Sequence, residues 1–340
     1  MQTYVQLFIY LIVNALFIIR YAPFGTLVTL LGVLAYSVVV VVAWWLSRHY
    51  EVREKTAMWS SIAIGAVVTI ISAALLIVID PLSVDVDRWS ATTYFLDGLF
   101  SGQYPYAIHT HVSDINYASP FPLWHYLCVP FYLMGDVGIM QPVMYVALIA
   151  MTRWFTGSWR STMYMSLLLL ASPAWWWEVA VRSDGVSNAL MVLFAILWME
   201  RKQIRLDNHF WTVVLISGCV ASTRFTAIPP IALYLFASYI KLPWQRLLLF
   251  PVAVLAIVLC FFLPYIFWDT TTWPFFDLNP FITQTHIGHP AILLLMVALG
   301  IFVSLRISSF KRYTYITACF LFIFMLTSNA WVWWIDYTTW

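Results

Sequence analysis

The sequence predicts an all-α polytopic membrane protein with about eleven transmembrane helices, a cytoplasmic N-terminus and one transmembrane domain over residues 1–340. Of the 340 residues, 63% are hydrophobic and only 9% are charged. Apolar runs of about 15 to 24 residues recur from end to end, and each roughly matches a hydrocarbon core about 30 Å thick. No stretch is both long enough and polar enough to form a soluble domain. The predicted spans, in order, are 4–19, 26–46, 57–79, 137–153, 161–177, 186–200, 210–223, 226–240, 247–268, 290–305 and 313–334.

The distribution of charged residues predicts how these spans are oriented. With the N-terminus in the cytoplasm, thirteen of the 17 Lys and Arg residues fall in inner loops, and eleven of the 15 acids fall outside. Cytoplasmic loops of membrane proteins carry an excess of basic residues. The basic residues are dispersed over short loops, which gives no reason to expect a nucleic acid partner. The acid-rich loop 80–136 is therefore predicted to be extracytoplasmic.

Loop 80–136 is predicted to contain two helices that lie in the membrane interface. Residues 88–100 place Trp89, Leu96 and Phe100 on one helical stripe, and Gly102 follows as a stop signal. Residues 121–134 are apolar but too short for an upright span. Counting them as a span would also invert the charge pattern further along the chain.

Asp85 and Asp87 are the candidate catalytic residues, because carboxylates in so apolar a chain cluster at water-facing or functional places. They can cap a helix, bind a divalent metal, or act as a general base that takes a proton from an acceptor hydroxyl. Two aspartates with a single residue between them cannot both face one substrate equally. Asp85 is favoured slightly as the base, with Asp87 as a helix cap or a partner of Arg88.

A second cluster on the predicted outer side contains Glu178, Arg182 and Asp184. The four-residue spacing of Glu178 and Arg182 is typical of a helical ion pair. The functional alternative is that Arg182 binds phosphate while Asp184 orients a substrate hydroxyl. Arg224 ends a span on the outer side, where a planar guanidinium suits either phosphate oxygens or a neighbouring acid.

The last outer loop, 269–290, contains His286 and His289. Their spacing would suit a metal, but no third ligand is evident, so they are interpreted as loop histidines or as hydrogen-bond donors to a lipid phosphate. The four cysteines are far apart and predict neither a disulfide framework nor a zinc site. No cofactor is predicted, although a divalent metal stays open as an alternative.

Taken together, these motifs resemble the GT-C superfamily of integral membrane glycosyltransferases, and within it the bacterial mannosyltransferase-like branch. The resemblance covers residues 57–240 and differs from many relatives in that about two extra spans precede the acidic loop. It is carried by Asp85-Val-Asp87, Gly102-Gln-Tyr-Pro105-Tyr106, Ser119-Pro120-Phe121-Pro122-Leu123, Ser172-Pro173, Arg182-Ser-Asp184 and Gly218 followed by Arg224.

The resemblance implies an inverting transferase of the cell membrane with an extracytoplasmic active site. Its donor would be a monosaccharide linked to polyprenyl phosphate, and its acceptor a glycan, a lipid or a protein. Tyr106 would join the substrate-binding residues through the Gly-x-x-Pro-Tyr motif. Two alternatives stay open: a polysaccharide polymerase or ligase, which usually has a long late outer loop, and a transporter or flippase of lipid-linked glycans, which needs midplane charges.

Overall fold

The computed structural model describes residues 2–22, 24–285 and 290–338, and within them the fold is built from helices and connecting loops. The only β-type pairing in these ranges is an isolated bridge between His109 and Tyr117. The α-helices are α1 Gln2–Tyr21, α2 Thr26–His49, α3 Glu54–Val78, α4 Arg88–Ser101, α5 Pro122–Leu133, α6 Met140–Thr156, α7 Trp159–Leu170, α8 Pro173–Ala180, α9 Asp184–Lys202, α10 Phe210–Ala221, α11 Ile228–Tyr239, α12 Trp244–Ile266, α13 Pro280–Thr285, α14 Pro290–Ser304 and α15 Phe310–Thr338.

Five of the described helices are long and apolar enough to cross a membrane, and six if one bent pair is counted as a single span. The five are α1, α2, α3, α6 with its preceding turn, and α12; the bent pair is α8 with α9. Each of the eleven predicted spans coincides with helix, so the all-helical class of a membrane protein is confirmed. The predicted number of eleven spans is not confirmed by the described residues. Helices α10, α11 and α14 have only 12 to 15 residues, which at 1.5 Å per residue is well short of about 30 Å.

The predicted span 161–177 is wrong as a single helix. The chain breaks between α7 and α8, because Ser172 is extended and Pro173 occupies the first turn of α8. Proline has no N–H to continue a helix and restricts the residue before it to extended conformations. The Ser172 hydroxyl caps α8 by accepting from Trp175 N at 3.2 Å, and Asn14 Oδ1 accepts from Ala174 N at 3.1 Å.

The chain divides into two compact units. The first unit comprises residues 1–84 and 138–190, and the second comprises residues 85–137 and 191–340. In the first unit, α3 packs against α6, α7 and α8, and α1 packs against α2 and α8. Its core is formed by Val68, Tyr145, Trp175 and Val179, which are all nearly inaccessible.

The second unit holds the predicted interfacial helices and most of the C-terminal half. Its main core joins α10, α11, α14 and α15, and includes Val213, Ile231, Met296 and Phe320. Helix α10 also packs closely against α12, and α12 touches α5. Both helices predicted in the acidic loop are present, as α4 and α5. Phe100, predicted on the apolar stripe of α4, is exposed, and its ring stacks on Tyr132.

Candidate functional site

The two candidate catalytic aspartates lie at the start of α4 in the second unit. Asp85 is exposed, Asp87 is half-buried, and Arg88 is exposed at the first position of the helix. Asp87 occupies the N-cap position, but its carboxylate accepts no capping hydrogen bond and its backbone is already helical. The predicted side-chain cap is therefore absent, and the slight preference for Asp85 over Asp87 as the base stays a prediction.

A histidine that the sequence did not single out lies beside this helix start. The Nδ1 atom of His111 is 2.6 Å from the hydroxyl of Ser90, which is fully buried. The same hydroxyl donates to the Asp87 carbonyl at 3.2 Å and accepts from the backbone N–H of His111. The backbone around Asp87 is therefore tied to the following loop through Ser90.

That loop folds back on itself and leads toward Arg224. Thr110 N donates to Asn116 O at 2.8 Å, next to the His109–Tyr117 bridge. One arm of this hairpin is fastened to the start of α4, and the other continues into residues 119–121. The hairpin thus joins the acidic motif to the proline-rich segment within one unit.

Arg224 is half-buried at the extended residue that follows α10 and precedes a 3-10 turn, Phe225–Ala227. One of its terminal nitrogens donates to Ser119 Oγ at 3.3 Å. The neighbouring backbone is fastened as well, because Phe121 N donates to Thr223 O at 2.9 Å. The structure therefore brings the Ser119-Pro120-Phe121 and Gly218…Arg224 motifs together, although about 100 residues separate them in the sequence.

Tyr106 was expected to bind substrate, but its side chain is almost fully buried. Its hydroxyl donates to the Pro120 carbonyl at 3.1 Å, and its ring packs edge-on against Phe95 and Tyr265. Burial in this aromatic cluster raises the pKa of Tyr106 well above its usual value. Its contacts therefore position residues 119–121, and Tyr106 also lines a neighbouring cavity.

His125, the second histidine that the sequence did not select, is completely buried in the same cluster. Its ring stacks on Phe95 with centroids 3.6 Å apart. Burial lowers the pKa of His125 to about 3, the Pro120 carbonyl opposes this shift, and the charge of Arg224 adds to it. His125 is thus neutral at physiological pH, so the core beneath Arg224 carries no second positive charge.

An apolar cavity of about 390 Å³ begins at the residue after Arg224. Phe225 and Thr226 line one end, and side chains of α11, α14 and α15 form the rest, including Phe236, Met296 and Phe320. Only Thr226 and Ser304 contribute hydroxyl groups to its lining. A cationic residue that adjoins the lining of such a cavity in the chain suits a molecule with an anionic head and an apolar tail.

A smaller cavity of about 200 Å³ lies on the other side of the proline-rich segment. Its lining includes Tyr117, Ala118, Asp277 and Asn279, together with part of Tyr106. A carboxylate and aromatic faces in one small cavity suit a hydroxylated ligand, because hydroxyls donate to the carboxylate while the apolar faces of a ring pack on the aromatics.

In the first unit, Arg182 lies where it caps the C-terminal end of α3. It is 3% exposed, and its guanidinium donates to Leu76 O at 2.6 Å, Ile79 O at 3.0 Å and Ala180 O at 3.2 Å. Its backbone has φ of 52°, at the turn where α8 and α9 meet at 113°. These bonds to backbone carbonyls use three of the five N–H donors of the Arg182 guanidinium.

Glu178 and Asp184 also belong to the first unit, beside other polar groups. Asp184 is buried and Glu178 is half-buried, with Glu178 Oε2 3.5 Å from where a side chain on Gly185 would begin. Gln141 Oε1, Ser187 Oγ and Asn188 Nδ2 are buried without a hydrogen bond from another described residue. Buried polar atoms of this kind need water or a ligand.

The structure describes only part of the last outer loop, which contains two of the predicted site residues. His286 and His289 lie outside the described residues. Asp269, at the start of the loop, accepts from Thr271 Oγ1 at 2.5 Å, Thr272 Oγ1 at 2.7 Å and Thr271 N at 2.8 Å. These bonds lower the pKa of Asp269 to about 2, and through them the Asp269 carboxylate stabilises the turn that follows it. Within the described ranges, no three His, Cys, Asp or Glu side chains lie close enough to hold a metal ion.

Comparison with known proteins gave no match: no family model, no curated protein and no solved structure is significantly similar to this chain.

Proposed function

We propose that this protein is a membrane glycosyltransferase that uses a sugar linked to a polyprenyl phosphate. The observation that carries the proposal is that Arg224 directly precedes in the chain two residues that line the 390 Å³ apolar cavity, Phe225 and Thr226. The cavity suits an isoprenoid chain, and the guanidinium suits the phosphate that joins the chain to the sugar. The 3.3 Å bond to Ser119 Oγ uses one of the five N–H donors of the Arg224 guanidinium.

The proposed reaction is an inverting displacement at the anomeric carbon. Asp85 or Asp87 accepts the proton of an acceptor hydroxyl, whose oxygen bonds to C1 of the sugar. The bond between C1 and the phosphate oxygen breaks, and polyprenyl phosphate leaves with the bonding electron pair. Arg224 stabilises the charge that develops on this phosphate, so the leaving group needs no protonation. The acceptor is a glycan, a lipid or a protein on the predicted outer side of the cell membrane.

The lipid site is tested with farnesyl phosphate and farnesol as probes for the purified protein in detergent. We expect wild-type protein to bind farnesyl phosphate more tightly than farnesol. A charge-assisted bond is worth about 1.5–3 kcal/mol, so Arg224→Gln should lower that preference roughly tenfold or more. Ala232→Phe, which places bulk at the cavity, should weaken both probes alike.

Arg246→Gln is the matched control, because Arg246 is in the same unit but packs over Phe210 away from the cavity. If Arg224→Gln kept the wild-type preference for farnesyl phosphate over farnesol, the proposed phosphate site would be contradicted.

For the chemical step, Asp85→Asn and Asp87→Asn are compared in membranes supplied with polyprenyl-phosphate sugars. Loss of a general base costs about 10²–10⁴ in rate. Near-wild-type transfer in both variants would contradict the mechanism.

A further inference from the structure

The segment 119–121 is held on three sides by parts of the second unit. Ser119 Oγ accepts from Arg224, Pro120 O accepts from Tyr106, and Phe121 N donates to Thr223 O. These contacts join the acidic loop to Thr223 and Arg224, which follow α10.

The segment is also stiff for covalent reasons. Pro120 and Pro122 have fixed φ angles, and the residues before them are restricted to extended backbone. Phe121 has φ of −79° and ψ of 160°, as this restriction requires. Fewer backbone rotations are therefore free between the Pro120 carbonyl and Ser119 than in a segment without prolines.

Tyr106 is the group that holds the Pro120 carbonyl, and it is itself rigid. Its ring lies between Phe95, 4.9 Å away, and Tyr265, 5.4 Å away. Its relative exposure is 1%, so bulk water does not reach its hydroxyl as an alternative hydrogen-bond partner. A buried hydroxyl without a partner is costly, which favours one fixed orientation.

We infer that Tyr106 and Ser119 are positioning residues that fix the orientation of the Arg224 guanidinium. The inference rests on the proposed function, because it assigns Arg224 to a phosphate. Neither residue needs to touch that phosphate. Tyr106 acts through Pro120 and Ser119, and Ser119 acts on Arg224 directly.

The test is a double-mutant cycle that measures the preference for farnesyl phosphate over farnesol. Removing one neutral hydrogen bond costs about 2- to 12-fold, so Tyr106→Phe should lower the preference within this range. Ser119→Ala removes a bond from a charged group and should lower the preference by at least as much. In an Arg224→Gln background, neither change should lower it further, because both act through the missing guanidinium.

Tyr313→Phe is the matched control. Tyr313 is buried in the same unit and donates to a proline carbonyl, Pro230 O, at 3.0 Å. It should reduce thermal stability as Tyr106→Phe does and leave the preference for farnesyl phosphate intact. If Tyr106→Phe folds poorly, Ser119→Ala by itself still tests the inference.

Two outcomes would overturn the inference. One is an unchanged preference for farnesyl phosphate in Ser119→Ala. The other is a loss of preference in Tyr106→Phe that is equally large in the wild-type and the Arg224→Gln backgrounds. These differ from failure of the proposed function, in which Arg224→Gln itself would leave the preference unchanged.

Discussion

Gly218 on α10 provides a sharp test of the packing that leads to Arg224. A Cβ atom built on Gly218 would lie 2.7 Å from both Cβ and Cγ2 of Ile257 on α12, and 2.9 Å from its Cδ1. Carbon atoms pack best at about 3.5–4.0 Å. The Cβ of Ile257 is fixed by the backbone, so no change of rotamer relieves the contact. Gly218→Ala must therefore push α10 and α12 apart.

The expected cost follows from two opposing effects. Overpacking of a core typically costs about 1–3 kcal/mol. Alanine also gains up to about 1 kcal/mol over glycine in a helix. The net loss in the free energy of unfolding for Gly218→Ala should therefore be about 1–2 kcal/mol. Because Gly218 O accepts both the N–H and the hydroxyl of Ser222, we also expect weaker binding of farnesyl phosphate near Arg224.

The assay is thermal unfolding in detergent, with Gly32→Ala as the control. Gly32 lies inside α2 and is exposed, and a Cβ atom added there would meet no neighbouring atom within 4 Å. Gly32→Ala should keep the helix gain without the clash and unfold at the same or a higher temperature than wild type. Equal stability of the two variants would refute the close approach of α10 and α12.

Two further predictions concern pH and orientation. The pKa of His125 is about 3 in the folded chain and near 6.5 when unfolded, so the unfolded state binds the extra proton between these values. The free energy of unfolding should fall as pH drops from about 6.5 toward 3, more steeply in wild type than in His125→Phe; equal slopes would contradict this. Asp114→Cys should react with an impermeant maleimide in intact cells and Lys55→Cys should not, since the positive-inside pattern places them on opposite sides; the reverse labelling would invert the site assignment.

Local sequence was enough to predict the helical membrane class and the helices of the acidic loop. Apolar length, sparse charge and the stop signal at Gly102 are properties of neighbouring residues, and Gly102 indeed ends α4 with φ of 76°. The break at Ser172-Pro173 was missed when 161–177 was predicted as one span, although its signal is local, because proline acts on its immediate neighbours. The count of eleven spans is not confirmed, because a long apolar run predicts burial in hydrocarbon without fixing how far one helix continues.

Tertiary structure alone decided the roles of individual side chains around Arg224. Tyr106 looked like a ligand-binding aromatic in its motif, yet its hydroxyl is buried against Pro120. Nothing near His125 or Gly218 in the sequence indicates a stacked ring or a helix contact, because their partners lie 30 to 39 residues away at Phe95 and Ile257. Such contacts depend on which helices pack together, and this is set by the summed burial of many residues instead of by any short motif.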